Sequence, residues 1–145
     1  MSSRVTVAQR RAVARRAGGC CEYCWSQASF ATQAFSVEHI VPQLRGGPTT
    51  LENLALACQG CNNHKYIKTE AIDPVNHDFV PLYHPRRQRW HDHFTWDDGY
   101  TCLVGLTPTG RATVEALHLN RESLVKLRRV LHASGEHPPS GARIE

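Results

Sequence analysis

The sequence predicts a small α+β fold in which short strands and helices surround a cysteine-rich centre. Three observations predict it: a capped basic helix near the N-terminus, two Cys-x2-Cys pairs separated by short apolar runs, and leucine periodicity near the C-terminus. With 145 residues and a hydrophobic content of 41%, the chain has the size and composition of one globular domain. We therefore predict a single domain over residues 1–145 with embellished ends.

The N-terminal helix is predicted over about residues 6–17. Thr6 followed by Gln9 is the capping-box pattern, and the stretch that follows is rich in Ala and Arg. Gly18-Gly19 stops the helix, because glycine readily adopts the left-handed conformation that ends helices. The arginines also resemble an organellar targeting peptide, but the helix runs directly into a cysteine motif that is typical of a structural element.

The centre of the chain, about residues 20–69, is predicted to form two strands and a helix. The strands are Ala34–Ile40 and Leu54–Ala57, whose apolar runs are too short for helices. The insert Pro42–Thr50 contains Gly-Gly-Pro and reads as an ordered loop between them. Gln59–Thr69 has helical composition.

The C-terminal extension, about residues 71–135, begins with a proline-rich connector over Ala71–Pro85. We expect this connector to wrap over the core and to bury apolar side chains at intervals, namely Phe79, Val80 and Leu82. A short helix is predicted over Arg86–His93. Phe94–Trp96 and Thr101–Leu106 then form a hairpin, because an Asp-Gly step between them favours a tight turn.

Two helices are predicted to close the fold. Thr107 caps the first, with Pro108 in its first turn, and Asn120 caps the second. The second helix repeats leucine at intervals of 3 and 4 residues, which is the spacing of a buried helical stripe. Gly135 ends it, and we expect the remaining tail to fray.

Four cysteines have the spacing of a tetrahedral zinc site. The pairs Cys21/Cys24 and Cys58/Cys61 are two Cys-x2-Cys knuckles, and each presents two thiolates from one tight turn. All four positions of the ion would be filled by protein, so the site would be structural. A redox pair and an iron site remain the alternatives. The other two cysteines, Cys20 and Cys102, read as buried or spare thiols.

Charge and hydropathy narrow the class of function. The net charge is +4 with a pI near 8.9, and fourteen of the seventeen basic residues are Arg. This balance permits nucleic-acid binding, since the planar guanidinium binds phosphate in two places. No apolar run approaches the roughly 20 residues that span a bilayer. We therefore expect a soluble cytoplasmic protein with no membrane partner.

The residues between and around the knuckles resemble the HNH endonuclease family. The resemblance covers about Cys21–Lys68 and rests on three motifs: Val-Glu-His-Ile-Val-Pro, Glu-Asn-Leu, and Cys-Gln-Gly-Cys-Asn-Asn-His-Lys. His39, Asn53 and Asn62 stand where the family places its first-strand histidine, its loop asparagine and its helix-opening residue. The resemblance implies a ββα-metal core of the zinc-knuckle type. A weaker likeness to the C-terminal extension of bacterial members covers His84–Trp96 and Leu106–Arg111 and so reaches over most of the chain.

The resemblance also implies roles for these residues. His39 would be the general base that activates water, since neutral imidazole is available near pH 7. Glu38 and Asn62 would hold one catalytic divalent ion, Mg2+, Mn2+ or another, through oxygen atoms. Asn53 would fix the His39 ring or the loop that carries it. Asn62 departs from many family members, which have histidine there, so the affinity for the ion would fall.

We predict that five basic residues near this motif contact nucleic acid: Lys65, Lys68, His64, Arg86 and Arg87. The lysines lie one turn apart on the predicted helix, where phosphate contact is the simplest role. For His64, a solvated surface position is the alternative. Trp90 and Trp96 are either a nucleic-acid surface or core residues. Three further histidines are predicted to serve in capping and packing, namely His84, His91 and His93.

The leading hypothesis is therefore a metal-dependent endonuclease, a hydrolase that cuts DNA, with RNA not excluded as substrate. A monomer would nick one strand, whereas a homodimer could cut both. The first rival is a zinc-stabilised nucleic-acid-binding module without catalysis, which the substitution at Asn62 and the basic helices favour. The second is a Cys-x2-Cys redox protein, which would need thiols that titrate freely in the native state.

Overall fold

The computed structural model describes residues 4–142, which fall into two compact units. The first unit comprises the residues up to 69 together with 84–87, and the second comprises 70–83 together with the residues from 88 onward. The α+β class is confirmed, with a ββα core in the first unit. The prediction of one domain stays a prediction. The elements of the first unit are α1 (Val7–Arg16), β1 (Ser36–His39), β2 (Leu54–Ala57) and α2 (Gln59–Lys65).

Helix α1 is held at both ends by the groups that the sequence predicts. The Thr6 side chain accepts a hydrogen bond from the Gln9 backbone at 3.0 Å, and the Gln9 side chain accepts one from the Thr6 backbone at 2.9 Å. Gly18 and Gly19 follow the helix with φ of +62° and +72°, a conformation that costs glycine little. The capping box and the glycine stop are both confirmed.

The ββα core begins with an antiparallel pair in which His39 is opposite Leu54. Strand β1 is shorter than the predicted Ala34–Ile40, whereas β2 has its predicted bounds. Helix α2 follows directly but ends before the predicted Thr69, because Tyr66 has φ +51° and leaves the helical conformation. The hydrophobic core of this unit joins α1 to β2 through three buried residues, Val13, Leu54 and Leu56.

The second unit starts with a β-hairpin where the sequence predicts a connector, so that prediction is wrong. Strands β3 (Glu70–Ile72) and β4 (Phe79–Pro81) pair antiparallel, with Ile72 opposite Phe79. The turn is built from side chains: Asp73 and Asn76 each accept a hydrogen bond from a backbone N–H two residues later. The expected burial holds for Leu82, whereas the Phe79 side chain is 62% exposed.

The second hairpin forms as predicted, but its second strand is shorter than the predicted Thr101–Leu106, and residues 97–102 join the strands in place of a tight Asp-Gly turn. Strands β5 (Phe94–Trp96) and β6 (Leu103–Gly105) pair antiparallel, and the Asp97 carboxylate accepts hydrogen bonds from two backbone N–H groups across the turn. The short helix α3 (Trp90–His93) precedes β5. Trp90 and Trp96 are each 5% exposed, with ring centroids 5.8 Å apart, so they are core residues.

Helices α4 (Pro108–Ala116) and α5 (Glu122–Ala133) follow β6. The Thr107 hydroxyl caps α4, as predicted, by accepting a hydrogen bond from the Gly110 backbone. The prediction that Asn120 caps α5 is wrong. Arg121 occupies the cap position, while the Asn120 amide bonds both backbone groups of Leu103, at 2.7 and 2.9 Å.

The described part of the tail after α5, up to residue 142, packs within the second unit, contrary to the expectation that the tail frays; residues 143–145 lie outside the described residues. The Trp96 indole N–H donates to the Ala142 carbonyl at 2.9 Å, and Ala142 is fully buried. The His137 ring lies 2.8 Å from the Tyr100 carbonyl oxygen. Long-range contacts of this kind are invisible in a local sequence pattern. Within residues 4–142, no helix is long and apolar enough to cross a membrane.

Candidate functional site

The four knuckle cysteines form one buried cluster in the first unit. Their sulfur atoms all lie within 4.8 Å of one another, and those of Cys24 and Cys58 are 3.7 Å apart. A tetrahedron with Zn–S bonds of about 2.3 Å has edges of about 3.8 Å. The donor set therefore fits zinc, and the predicted grouping of Cys21, Cys24, Cys58 and Cys61 is confirmed. Such a cluster indicates a structural zinc site.

The first knuckle is shaped by backbone hydrogen bonds. The Cys21 backbone N–H donates to the Ser26 carbonyl at 2.8 Å, and Trp25 adopts φ +63° in the turn between them. Two N–H groups point at sulfur: that of Cys24 at Cys21 Sγ and that of Ser26 at Cys24 Sγ, both at 3.5 Å. N–H groups directed at sulfur stabilise thiolates, so the turn is suited to hold a cation.

The second knuckle is also the start of helix α2. Cys58 is the N-cap residue, and its sulfur accepts a hydrogen bond from the Cys61 backbone at 3.5 Å. The sulfur that would bind zinc therefore also satisfies one of the N–H groups that a helix leaves unpaired at its start. A metal at this cluster would fix where α2 begins, and with it the position of Asn62.

Arg86, a predicted phosphate contact, is paired with Glu22, which lies within the first knuckle. Glu22 pairs with Leu56 through both backbone and side chain, and its other carboxylate oxygen forms an ion pair with Arg86. Burial, and then the charge of Arg16, lower the pKa of Arg86 to about 10. Since this guanidinium is 15% exposed and engaged by Glu22, it serves the fold, and we do not retain it as a phosphate contact.

His39 lies at the end of β1 with its ring half-buried. Its Nε2 atom is 2.8 Å from the Thr49 hydroxyl oxygen, and the Gln43 amide donates to the same oxygen at 3.1 Å. Burial, and then the charge of Lys65, lower the pKa of His39 below the ordinary 6.5. The imidazole is therefore neutral at pH 7. No local pattern marks Thr49, because a loop threonine is common and only the folded loop brings it to the ring.

Asn53 holds the loop that follows His39 and runs past Pro48. Its amide oxygen accepts from the Val41 backbone N–H, and its amide nitrogen donates to the carbonyls of Val41 and Pro48, all at 2.9 Å. Gly47 is required beside this contact, since a Cβ there would overlap the Val41 carbonyl. This arrangement agrees with the loop-fixing role predicted for Asn53.

Glu38 lies on the other face of β1 from His39, because neighbouring strand residues alternate. It is 7% exposed, and its two carboxylate oxygens bond the Tyr23 hydroxyl and the Lys65 ammonium, the latter at 3.1 Å. Lys65 also donates to the Ile40 carbonyl at 2.8 Å. Burial raises the pKa of Glu38, and Lys65 and Tyr23 oppose that rise.

This network bears on two predicted roles. Lys65 is 1% exposed, so its ammonium lies in the protein interior and cannot reach a phosphate from there. Glu38 has both oxygens engaged and does not fit a divalent ion in this arrangement. Asn62 is partly exposed on α2, and its amide makes no hydrogen bond within residues 4–142.

The remaining predicted residues are more accessible. Lys68 and Arg87 are exposed, and His64 is partly exposed. The Lys68 ammonium donates to the His64 carbonyl at 2.9 Å, which leaves it at the surface beside α2. Of the other histidines, His93 bonds Thr107 at 2.6 Å, in agreement with a packing role. Among the described residues, the four cysteines are the one cluster of His, Cys, Asp or Glu arranged to hold a metal.

Comparison with known proteins assigns the central segment. Residues 21–68 match the family model described as HNH endonuclease. This span contains both knuckles, the two strands, the loop and helix α2, so the resemblance seen in the sequence is confirmed over the same residues. No curated protein matches the chain. The four-cysteine cluster further fits a zinc-binding variant of that family.

Proposed function

We propose that this chain is a metal-dependent endonuclease that hydrolyses DNA phosphodiester bonds, with His39 as its general base. One observation carries the proposal. Within the segment that matches the HNH family, the His39 ring contacts the Thr49 hydroxyl at the end of a strand, and burial lowers its pKa, which favours the neutral form. A general base needs a neutral ring held in a defined orientation.

The Thr49 contact is compatible with either tautomer of His39, and we assign the one that leaves Nδ1 free to act as a base. In the tautomer that can act, Nε2–H donates to the Thr49 oxygen, which leaves the lone pair on Nδ1. Water then loses a proton to Nδ1 as its oxygen forms a bond to phosphorus. The bond between phosphorus and the leaving sugar oxygen breaks, and that oxygen takes a proton from solvent. Thr49 is a positioning residue in this scheme.

Asn53 stabilises the loop that brings Thr49 to His39. Its three hydrogen bonds tie both ends of residues 41–48 together, so the loop that presents Thr49 to His39 cannot drift. An amide that bonds only backbone groups cannot take part in proton transfer at neutral pH. We therefore assign Asn53 a positioning role.

The proposal also includes one catalytic divalent ion, which is Mg2+, Mn2+ or another. Asn62 offers an amide oxygen on the accessible side of α2, whereas Glu38 would first have to give up Lys65 or Tyr23. Because this pair does not fit the ion as it stands, we assign no catalytic step to it. Stimulation of cleavage by each ion in turn would establish the requirement.

Cleavage of supercoiled plasmid tests the proposal directly. Wild type should convert plasmid to nicked or linear form with Mg2+, Mn2+ or Ni2+, and His39→Ala should lose this activity while keeping its zinc. Equal trace activity in both proteins would refute the assignment. Nicked product is expected from a monomer, and linear product from a dimer. A duplex RNA substrate run in parallel decides between DNA and RNA.

The pH profile tests the roles of His39 and Thr49 separately. A base with a lowered pKa gives an acid limb whose midpoint lies below 6.5, since activity requires the neutral ring. Thr49→Val removes the hydroxyl at nearly constant shape, so kcat should fall and the acid limb should move. Thr49→Ser should restore both. A fall in kcat with the limb unmoved and no rescue by Ser would assign Thr49 to packing alone.

The rival function is nucleic-acid binding without catalysis, and the engagement of Glu38 by Lys65 favours it. A zinc-stabilised binding module would retain DNA in buffer without added divalent ions and would never cut it. The plasmid assay separates the two functions, because binding alone leaves the supercoiled form intact at every ion concentration.

A further inference from the structure

The two units of the chain carry opposite charge. The first unit contains ten Lys and Arg against three Asp and Glu, a formal charge of +7, and the second contains seven against ten, a charge of −3. The net charge of the whole chain, +4, is the sum of these two values. A body of fewer than 80 residues with a charge of +7 attracts a polyanion.

Most of the acidic charge in the first unit is inside it. Glu38 and Glu22 are held in ion pairs with Lys65 and Arg86, so these four groups neutralise one another beneath the surface. Glu52 is the third acidic residue and is exposed. The accessible charge of this unit is therefore almost entirely positive.

Helix α1 contributes the densest part of that surface. It has four arginines and no acidic residue in ten positions. Arg10, Arg11 and Arg15 are exposed, and within residues 4–142 none of their side chains makes an ion pair or a hydrogen bond. Arg11 and Arg15 lie one turn apart on the face opposite Val13, which is fully buried.

The fold alone does not account for these arginines. Like charges one turn apart destabilise a helix, and cations near its first half oppose its dipole. The dipole favours Arg15, in the last turn, but not Arg10 or Arg11. Arg16 differs from the other three, since it donates to the Leu51 and Leu54 carbonyls and so joins α1 to the core.

Helix α1 is also tied to the loop that holds His39. The Gln9 amide donates to the Thr49 carbonyl at 3.1 Å, and the hydroxyl of the same threonine contacts the His39 ring. Arg16 bonds the segment that leads into Asn53. Hydrogen bonds therefore connect the helix that carries the arginines to the loop that contacts the proposed base.

We propose that Arg10, Arg11 and Arg15, the arginine face of α1, bind backbone phosphates of the DNA that is cut. The choice of DNA rests on the proposed function. Guanidinium groups suit this partner, since each can bond two phosphate oxygens at once. Phosphate contacts position the duplex without reading its sequence, so this face contributes affinity that is independent of sequence.

The test measures binding without cleavage, in His39→Ala as background. The variant Arg11→Gln/Arg15→Gln is compared with Lys126→Gln/Arg129→Gln, whose sites are exposed on α5 of the second unit. Both lower the net charge by two, and glutamine keeps helix propensity. Fluorescence anisotropy with a short duplex gives affinity against salt concentration.

Each phosphate contact contributes about −0.9 to the slope of log affinity against log salt. The α1 variant should therefore flatten the slope by about 1.8, while the α5 control keeps the slope of the His39→Ala background. The proposal would be overturned if the α1 variant had the same slope as the His39→Ala background, or if the α5 control flattened the slope equally. Single substitutions Arg11→Gln and Arg15→Gln should each give half the change, and circular dichroism should show an unchanged melting transition.

Failure of this proposal and failure of the proposed function give different results. If His39→Ala cuts plasmid as well as wild type does, catalysis by His39 is refuted while the salt slopes still decide the role of α1. If the slopes do not change but His39→Ala abolishes cutting, the endonuclease stands and the arginine face is excluded. A duplex RNA that shows the slope change when the DNA does not would refute the choice of DNA.

Discussion

Lys65→Met should destabilise the first unit more than most single substitutions, because it leaves a buried carboxylate without its cation. Glu38 is 7% exposed and its nearest positive charge is the Lys65 ammonium, 3.1 Å away. Removing one member of a buried pair costs about 3–5 kcal/mol. Methionine fills a similar volume, so little of this loss comes from a cavity.

Hydrogen exchange in the β1–β2 ladder measures this loss where it occurs. A loss of about 3 kcal/mol speeds exchange about 100-fold for amides protected by opening of the core. The Ile40 amide, which donates to the Asn53 carbonyl at 2.8 Å, is a suitable reporter. Amides of α5 in the second unit provide the internal control.

The double substitution Glu38→Gln/Lys65→Met provides the matched comparison. A neutral amide can still bond the Tyr23 hydroxyl and needs no cation, so the double variant should recover most of the lost protection. The single variant should also lose less as pH falls from 8 to 6. Without Lys65 the pKa of Glu38 rises further, and the folded state then takes up the proton that removes the buried charge. Unchanged exchange in Lys65→Met would refute the reasoning.

Three further substitutions test other parts of the chain. Cys61→Ser should abolish cleavage and zinc retention together and lower the melting temperature sharply, whereas a variant that keeps its zinc would contradict a four-cysteine site. Gly47→Ala should cost about 3 kcal/mol of stability, because a Cβ there overlaps backbone, and urea unfolding measures it. Asp73→Asn should destabilise the second unit at pH 6 by breaking the ion pair with Arg111, which holds the pKa of Asp73 at about 2. This contribution is present above the unfolded pKa near 4 and is lost as pH falls toward 2, so wild type and variant should converge there.

The parts of the fold that follow a local code could be predicted from the sequence. Three local features depend on groups within five residues of one another: the capping box of α1, the Asp97 contacts in the β5–β6 loop, and the Thr107 cap. The cysteine site could also be predicted, since zinc coordination imposes the same short spacing on each knuckle. These features need no knowledge of the tertiary structure.

Features that depend on distant partners were missed. Lys65 and Lys68 look alike in sequence, where the predicted helix places them one turn apart. In the structure Lys65 ends α2 and is buried against Glu38, whereas Lys68 follows the helix and is exposed. The end of α2 and its packing on β1 distinguish the two lysines. Asn120 is a plausible cap by local rules, but its amide satisfies the backbone of Leu103 instead, seventeen residues away. Side chains with several hydrogen-bonding options follow the partner that folding brings, which local propensity cannot identify.

The buried network joins the zinc knuckles to the proposed catalytic strand. Tyr23 lies inside the first knuckle, and Lys65 ends the helix that the second knuckle begins. Both side chains meet on Glu38, one residue before His39. The two knuckles therefore position His39 from the opposite face of its own strand. It follows that zinc loss should disturb His39 before it unfolds the second unit, whose hairpins and helices contain none of the four cysteines. A chelated protein that keeps exchange protection in α5 while losing it in β1 would show this order, and simultaneous loss in both would contradict it.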